Sequence, residues 1–505
     1  MSGSQKVCVT MTNRNPALFW LLISLIWLAN GCGSPENVTK PATSSDLKTL
    51  QEATAPTFPG VMLKVAALED PALGEVTADL VGEWRVSRKA DVEVVAKPVA
   101  DAKTVLDPAV DVWLIRGQSL GGLIDKDLIE PLGDINADWS SRPAAFDSMI
   151  CRYGPDRFGV PLGASLLVVA YRESIMNDPA IKAEMEKAGI SFPATTWDEF
   201  DRCLNLFKGK VEFPLALPTS VSATDRLLQD IFLARATAMG KHRDQFSFLM
   251  SAESMIPRID GVPFADALKS LVALKPSQKM NSEAARKAFR EGKSAILIDY
   301  AENAGSWAKP DEKGKIGVAP LPGSMRVYEP EGRVYEKMQS PNLSSYIPLG
   351  GGWLAVLARG RSAENIVAAK DFLLYLSGSS MAAQLAADRR MLMLPTRDAL
   401  LASGFIDRRM APRVESGAWG ESILKQLTST NYVVGLRIPQ AGEFLSDLNQ
   451  SMESAFHGEG PESALKQASQ KWSDRIQAYG LERMKWHYRR SLVKPLTDPK
   501  APPGR

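Results

Sequence analysis

Val110-Asp111-Val112-Trp113-Leu114-Ile115-Arg116-Gly117-Gln118-Ser119-Leu120-Gly121-Gly122-Leu123-Ile124 reads as a strand, a polar turn and the opening of a helix. The run 110–115 is largely apolar, as a strand buried on both faces of a parallel sheet requires. The helix continues to Leu128 and ends near Pro131, since proline cannot extend it. Working outward, residues 61–67 form an earlier strand. A helix follows with Leu73, Val76, Leu80 and Trp84 on one face, and residues 92–95 form another strand. Strand-like and helix-like segments keep alternating, which is the pattern of an α/β fold.

Later segments continue the pattern. Thr196-Trp197-Asp198-Glu199 is a capping box that opens a helix toward Phe207, with Gly209 beyond its end. Residues 295–298 are a short apolar strand. Ser362 starts a helix with Ile366, Ala369, Leu373 and Leu376 on one stripe and Gly378 as its stop. Two helical faces close the chain: Leu445, Leu448, Met452 and Phe456, then Leu465, Ala468, Trp472 and Ile476, joined by a turn at 458–461. Trp84, Trp197 and Trp472 fall on helix stripes and read as core.

Composition narrows the function classes. The 505 residues are 45% hydrophobic and carry a formal charge of +2, which suits a folded globular protein and argues against nucleic acid as partner. The three histidines, His242, His457 and His487, have no metal-ligand spacing. No Walker loop, GxGxxG turn or GxSxG elbow occurs, so neither a metal nor a cofactor is expected. Gly350-Gly351-Gly352 precedes an apolar strand rather than a helix and does not read as a phosphate cradle. Asp299 and Glu302 stand at a strand end and superficially match a glycosidase carboxylate pair; caps, ion-pair partners and ligand acceptors occupy such positions too. Cys151 and Cys203 are free to pair or to remain thiols, because spacing alone does not decide a disulfide.

The first residues carry an address. Arg14, the apolar run 17–29 and Asn30-Gly31-Cys32 resemble a bacterial lipoprotein export signal. The run is short of the about 20 residues a membrane-spanning helix needs. The resemblance implies removal of 1–31, a lipid on Cys32 and an extracytoplasmic, membrane-anchored location. Asn30 departs from the usual small residue, and Met11 is an alternative start that would remove Cys8. Residues 32–57, rich in Ser, Thr and Pro, read as a flexible tether. The stretch after about 482 is locally basic, with Arg483, Lys485, Arg489, Arg490 and Lys494, and reads as a solvated extension whose residues 486–505 form a Pro-rich basic tail.

Six segments in order resemble the extracellular solute-binding proteins of ABC importers, in the carbohydrate group that includes maltose-binding protein. They are 61–67 with Leu68-Glu69-Asp70-Pro71; 110–132; Phe158-Gly159-Val160-Pro161 through Tyr171-Arg172 with Thr196-Trp197-Asp198-Glu199; Phe289 through Gly292-Lys293 to Asp299; Gly350-Gly351-Gly352-Trp353 with the helix after Ser362 and Leu394-Pro395-Thr396-Arg397; and Arg437-Ile438-Pro439-Gln440 with the closing helices. The resemblance implies a type II periplasmic-binding-protein fold, with two α/β lobes joined by a multi-crossing hinge. One lobe would comprise 58–164 plus 325–395, the other 165–322 plus 396–485. It implies a monomeric receptor, not an enzyme, that captures a small solute between the lobes and delivers it to permease subunits.

A sugar ligand wants planar donors and acceptors for its hydroxyls and an aromatic plane for its ring. The positions matching the family's site loops are Glu69, Asp70, Arg116, Gln118, Ser119 and Ser165, with Asp299 at the later strand end. Caps and turns equally use such residues. The family's Gly-Pro-Trp is absent after residue 298, leaving Tyr300 as a replacement platform. Trp353 and a loop tryptophan, Trp419, are the other aromatic candidates. The stretch 323–349, with hairpin-like alternation around Val327 and Val334, is a candidate cleft overhang. An exported glycoside hydrolase and a non-transport envelope protein on the same fold are the alternative functions.

Overall fold

In chain order the described strands of three or more residues are β1 (Met62–Ala67), β2 (Asp91–Val95), β3 (Val112–Arg116), β4 (Gly159–Gly163), β5 (Leu167–Arg172), β6 (Phe213–Ala216), β7 (Ser294–Tyr300), β8 (Ile316–Ala319), β9 (Ser324–Glu329), β10 (Val334–Asn342), β11 (Ser345–Ile347), β12 (Trp353–Leu357) and β13 (Tyr432–Val434). The computed structural model describes residues 56–95, 109–220, 225–274, 279–309, 315–402, 414 and 416–493. The export-signal segment, Cys32 and the tether up to residue 55 lie outside the described residues, as does the tail from 494. Among the described residues no helix is long and apolar enough to cross a membrane.

Nine strands form two sheets. The first has the order β2-β1-β3-β12-β4. β1 runs parallel to β2 and β3, whereas β12 is antiparallel to both β3 and β4. The second has the order β8-β5-β7-β6, with β5 antiparallel to both its neighbours. The apolar run that opened the sequence analysis is therefore a central strand. Val112, Trp113, Leu114 and Ile115 are all buried, with Val112 and Leu114 in one apolar cluster and Trp113 and Ile115 in another.

The chain passes between the sheets at several places. Residues 164–166 link β4 to β5. Residues 320–352 return to β12, and the segment after Leu394 leads on to the helix Ser416–Leu427. The first and last of these are tied by reciprocal backbone hydrogen bonds between Ala164 and Leu394 (2.9 and 2.8 Å). The middle one carries β11, which pairs parallel with β13. An apolar cluster is continuous through this region, from Trp113, Ile115 and Leu354 on the first sheet to Val168, Leu297 and Ile316 on the second. Two further clusters back the individual sheets.

Local signals largely act as their chemistry requires. Thr196 accepts from the Glu199 amide while Glu199 returns to the Thr196 amide, starting the helix Trp197–Leu206. Ser362 caps Ala363–Leu376 through the Asn365 amide. Trp84 is fully buried, with its indole N–H on Asp371 (2.8 Å). The single helix expected over 73–84 is two, Pro71–Leu80 and Gly82–Arg88, which meet at Val81. The helix opening at Leu120 stops at Asp125, short of Leu128.

Two stretches differ from the sequence reading. Leu481–Ser491 is a docked helix, not the start of a solvated tail. Met484, His487, Tyr488 and Ser491 recur at helical spacing and are buried. His487 joins Asp125 (2.8 Å) and Tyr153 (2.9 Å), and the Tyr488 hydroxyl accepts from the Met250 amide (3.2 Å). The basic residues lie on the other faces of this helix and pair with Asp125, Asp156 and Glu253. The stretch 323–349 does form the expected hairpin, β9–β10. Its base, however, is fixed by Asn342 to the carbonyls of Ala238 and Lys241, at the far end of the helix Leu227–Gly240. Tyr335 donates to Asp266 on the neighbouring helix Val262–Ala273 (2.7 Å).

Cys151 and Cys203 are free thiols buried in separate apolar clusters. Burial pushes both thiols up to about 12, so they are inert packing groups.

Candidate functional site

β1 and β3 run parallel, so their carboxyl ends open on the same side of the first sheet, where α/β sheets hold ligands. Glu69 and Asp70 follow β1, and Arg116, Gln118 and Ser119 end or follow β3. Asp70 caps the helix Pro71–Leu80 by accepting from the Leu73 amide (3.2 Å). Its other oxygen accepts the Trp353 indole N–H (2.8 Å) and stands 3.9 Å from the Arg116 guanidinium. Ser119 donates to Glu69 (3.2 Å), whose backbone adopts φ 66°. Five of the expected residues thus form two small polar groups at the same edge of the sheet, Asp70 with Trp353 and Arg116, and Glu69 with Ser119.

The glycine run explains how Gln118 is placed. Gly350 and Gly352 have φ of 66° and 113°. A Cβ on Gly350 would lie 2.3 Å from the Gln118 amide nitrogen, and one on Gly352 would lie 2.2 Å from the Gly163 carbonyl. Only glycines let this turn press the end of β3 against the start of β12.

The second sheet supplies the opposite wall. Tyr300, half-buried at the end of β7, donates to Asp230 (2.6 Å). Asp230 lies in the first turn of Leu227–Gly240 and also takes the Tyr346 hydroxyl. Burial lifts its carboxyl to about 6, against the opposing pull of Tyr300, Arg226 and Tyr346. Arg226, just before that helix, donates to Gln118 Oε1 at 2.6 Å. This hydrogen bond joins the carboxyl end of the first sheet to the start of a helix that packs on the second.

Three expected residues point elsewhere. Ser165 is fully buried at the first crossing and donates to Glu302. Burial raises the Glu302 carboxyl to about 8, although the Ser165 bond pulls the other way. Asp299 is fully enclosed, with Arg286 (2.9 Å), Asn303 (3.0 Å) and Trp307 (2.9 Å) donating to it. It therefore organises the turn after β7 rather than facing a solute. Trp419 lies on the helix Ser416–Leu427, not in a loop. It is buried, and its indole N–H binds the Ala301 carbonyl (3.0 Å). Trp353 is 5% exposed; its polar edge shapes the wall through Asp70 while its ring packs in the core.

Arg226, Asp230 and Tyr346 were missed. The helix Leu227–Gly240, which follows Arg226 and carries Asp230, is buried on nearly every side and has no amphipathic stripe to mark it, and Tyr346 lies on the short strand β11. The one local signal is Asp225-Arg226, a charged pair directly before a long apolar run.

A sequence profile of the bacterial extracellular solute-binding proteins matches residues 82–411. The chain belongs to this family. Solved structures share the fold of this solute-binding protein. The sugar-binding protein MalE of Xanthomonas citri superposes with TM-score 0.61 at 17% identity, covering 83% of this chain and 99% of its own. The cyclic α-maltosyl-1,6-maltose binding protein of Arthrobacter globiformis gives 0.60 at 19%, covering 84% and 100%. An ABC transporter solute-binding protein of Agrobacterium radiobacter K84, in complex with ribitol, gives 0.59 at 16%, covering 83% and 100%. No curated protein matches by sequence. At these identities the superpositions establish the type II binding-protein fold; the family places the chain outside the cytoplasm and among binding proteins for transport.

Proposed function

We propose that this protein is a lipid-anchored receptor that takes a small carbohydrate or polyol into the cleft between its two sheets and delivers it to an ABC permease. The observation that carries the reading is the Gln118–Arg226 hydrogen bond, which brings polar groups from both lobes to one place. The solute would lie between the wall of Glu69, Asp70, Arg116, Gln118 and Ser119 and the wall of Arg226, Asp230 and Tyr300. Ligand contacts made by both walls favour the closed lobes over the open ones, and that differential affinity is what drives closure. Ser165, Asp299 and Trp419 belong to the scaffold in this reading.

Cys32 would carry the lipid and 32–57 would act as a tether, holding a monomeric receptor at raised local concentration near its permease. The lobes would be 58–164 plus 353–395 and 165–347 plus 396–491, with the β9–β10 hairpin held on the second lobe and the last helix bridging both through Asp125, Tyr153 and Met250. A thermal-shift panel of sugars and polyols tests the reading. One or more should raise the melting temperature, and Gln118→Ala and Asp70→Ala should abolish or reduce the shift. An unchanged shift in both variants would remove the proposed site.

A further inference from the structure

The two arginines of the cleft are poorly matched by the acids around them. Arg116 has one ionic contact, to Asp70 at 3.9 Å, and its buried Nε has no partner. Asp70 is already occupied by the Trp353 indole and the Leu73 amide. Arg226 makes no ion pair within 4.0 Å among the described residues, and its side-chain hydrogen bond goes to the neutral amide of Gln118. Asp225, next to it in the chain, accepts from Ser282 and the Leu227 amide, and Asp230 is committed to the hydroxyls of Tyr300 and Tyr346. Glu69 stands exposed, bonded to Ser119.

Gln118 lies two residues beyond Arg116, so its bond to Arg226 brings the second guanidinium to the end of the strand that carries the first. Arginine's planar fork fits a carboxylate through two parallel hydrogen bonds, and such charge-assisted bonds are about twice as strong as neutral ones. An amide oxygen offers Arg226 one acceptor and no charge. A carboxylate entering the cleft would replace that amide as the acceptor for Arg226 and offer Arg116 a closer anion than Asp70, which stands 3.9 Å away.

We propose that the solute is an acidic saccharide, a uronate whose carboxylate is held between Arg116 and Arg226. The inference rests on the reading of the cleft as a carbohydrate site and adds the class of sugar.

Titration calorimetry of the full-length mature protein at neutral pH tests it. The probes are D-galacturonate, D-glucuronate and 1,4-linked digalacturonate, against their methyl esters, D-galactose, D-glucose and maltose. At least one uronate should bind more tightly than its ester and its neutral counterpart by about tenfold or more, the scale of a charge-assisted bond. Arg116→Ala and Arg226→Ala should each weaken that uronate by a similar factor. Arg226→Lys keeps the charge, loses the fork and should fall between wild type and Arg226→Ala; with the esters, it carries the test if an alanine variant fails to fold. Equal or tighter binding of a neutral sugar would overturn the carboxylate assignment and leave the carbohydrate receptor standing. Unchanged uronate affinity in Arg226→Ala and Arg116→Ala would overturn it as well. Failure of every saccharide to bind would overturn both this inference and the reading beneath it.

Discussion

Replacing Glu302 by Gln should stabilise the protein, and the gain should grow with pH. Glu302 sits beside the first crossing between the lobes, bonded to Ser165, with its second oxygen buried and unpartnered. Burial raises its carboxyl from 4.5 to about 8. Between those values the folded protein holds a proton there that the unfolded chain releases. Wild-type stability therefore declines as pH rises through this window, and the full penalty is present above about pH 8. The interval corresponds to up to about 5 kcal/mol. Glutamine keeps the acceptor for Ser165 and never ionises, so it avoids the penalty. For a folded unit of this size, about 1 kcal/mol moves the melting temperature by about 1 °C. The variant should thus match wild type near pH 5 and exceed it by up to about 5 °C near pH 9, measured by calorimetric melts. A difference that stays constant between pH 5 and 9 would refute the argument that Glu302 is held neutral.

Gly350→Ala should cost about 2–3 kcal/mol in urea unfolding, because its Cβ meets the Gln118 amide; unchanged stability would mean the turn is not constrained by that contact. Ellman's reagent should label neither Cys151 nor Cys203 in the folded mature chain and both after denaturation. Rapid labelling of either in the native state would contradict their burial. His487→Ala should cost about 2–3 kcal/mol at pH 7. It strips a partner from Asp125, whose carboxyl is held well below its usual range: burial opposes this, but bonds from His487, Tyr479 and Arg483 outweigh it. That stabilisation is present above the unfolded carboxylate pKa and is lost on acidification, so the variant should approach wild type at low pH.

Much of the fold could be read because its elements are periodic or capped. The buried run at 112–115, the Thr196 capping box and the Ser362 helix each carry their own local cause. The first wall was legible for the same reason, since Asp70 and Gln118 directly follow recognisable strands. The second wall was not. Arg226, Asp230 and Tyr346 depend on a helix buried all round and on a strand brought in from more than a hundred residues later, and no local pattern encodes that meeting. At Trp419 and Asp299, residue type suggests a ligand contact equally well for a core indole or an internal ion pair. Only the donors to Asp299 and the acceptor for Trp419 separate the two.

The central claim is that the cleft holds a sugar without transforming it. Isothermal titration of the purified mature protein with a saccharide selected by thermal shift, followed by chromatography of the recovered sugar, tests this directly. The account predicts one site per chain, a stoichiometry lost in Gln118→Ala, and saccharide recovered unchanged. Release of a cleaved product, or binding that persists undiminished in Gln118→Ala, would contradict it.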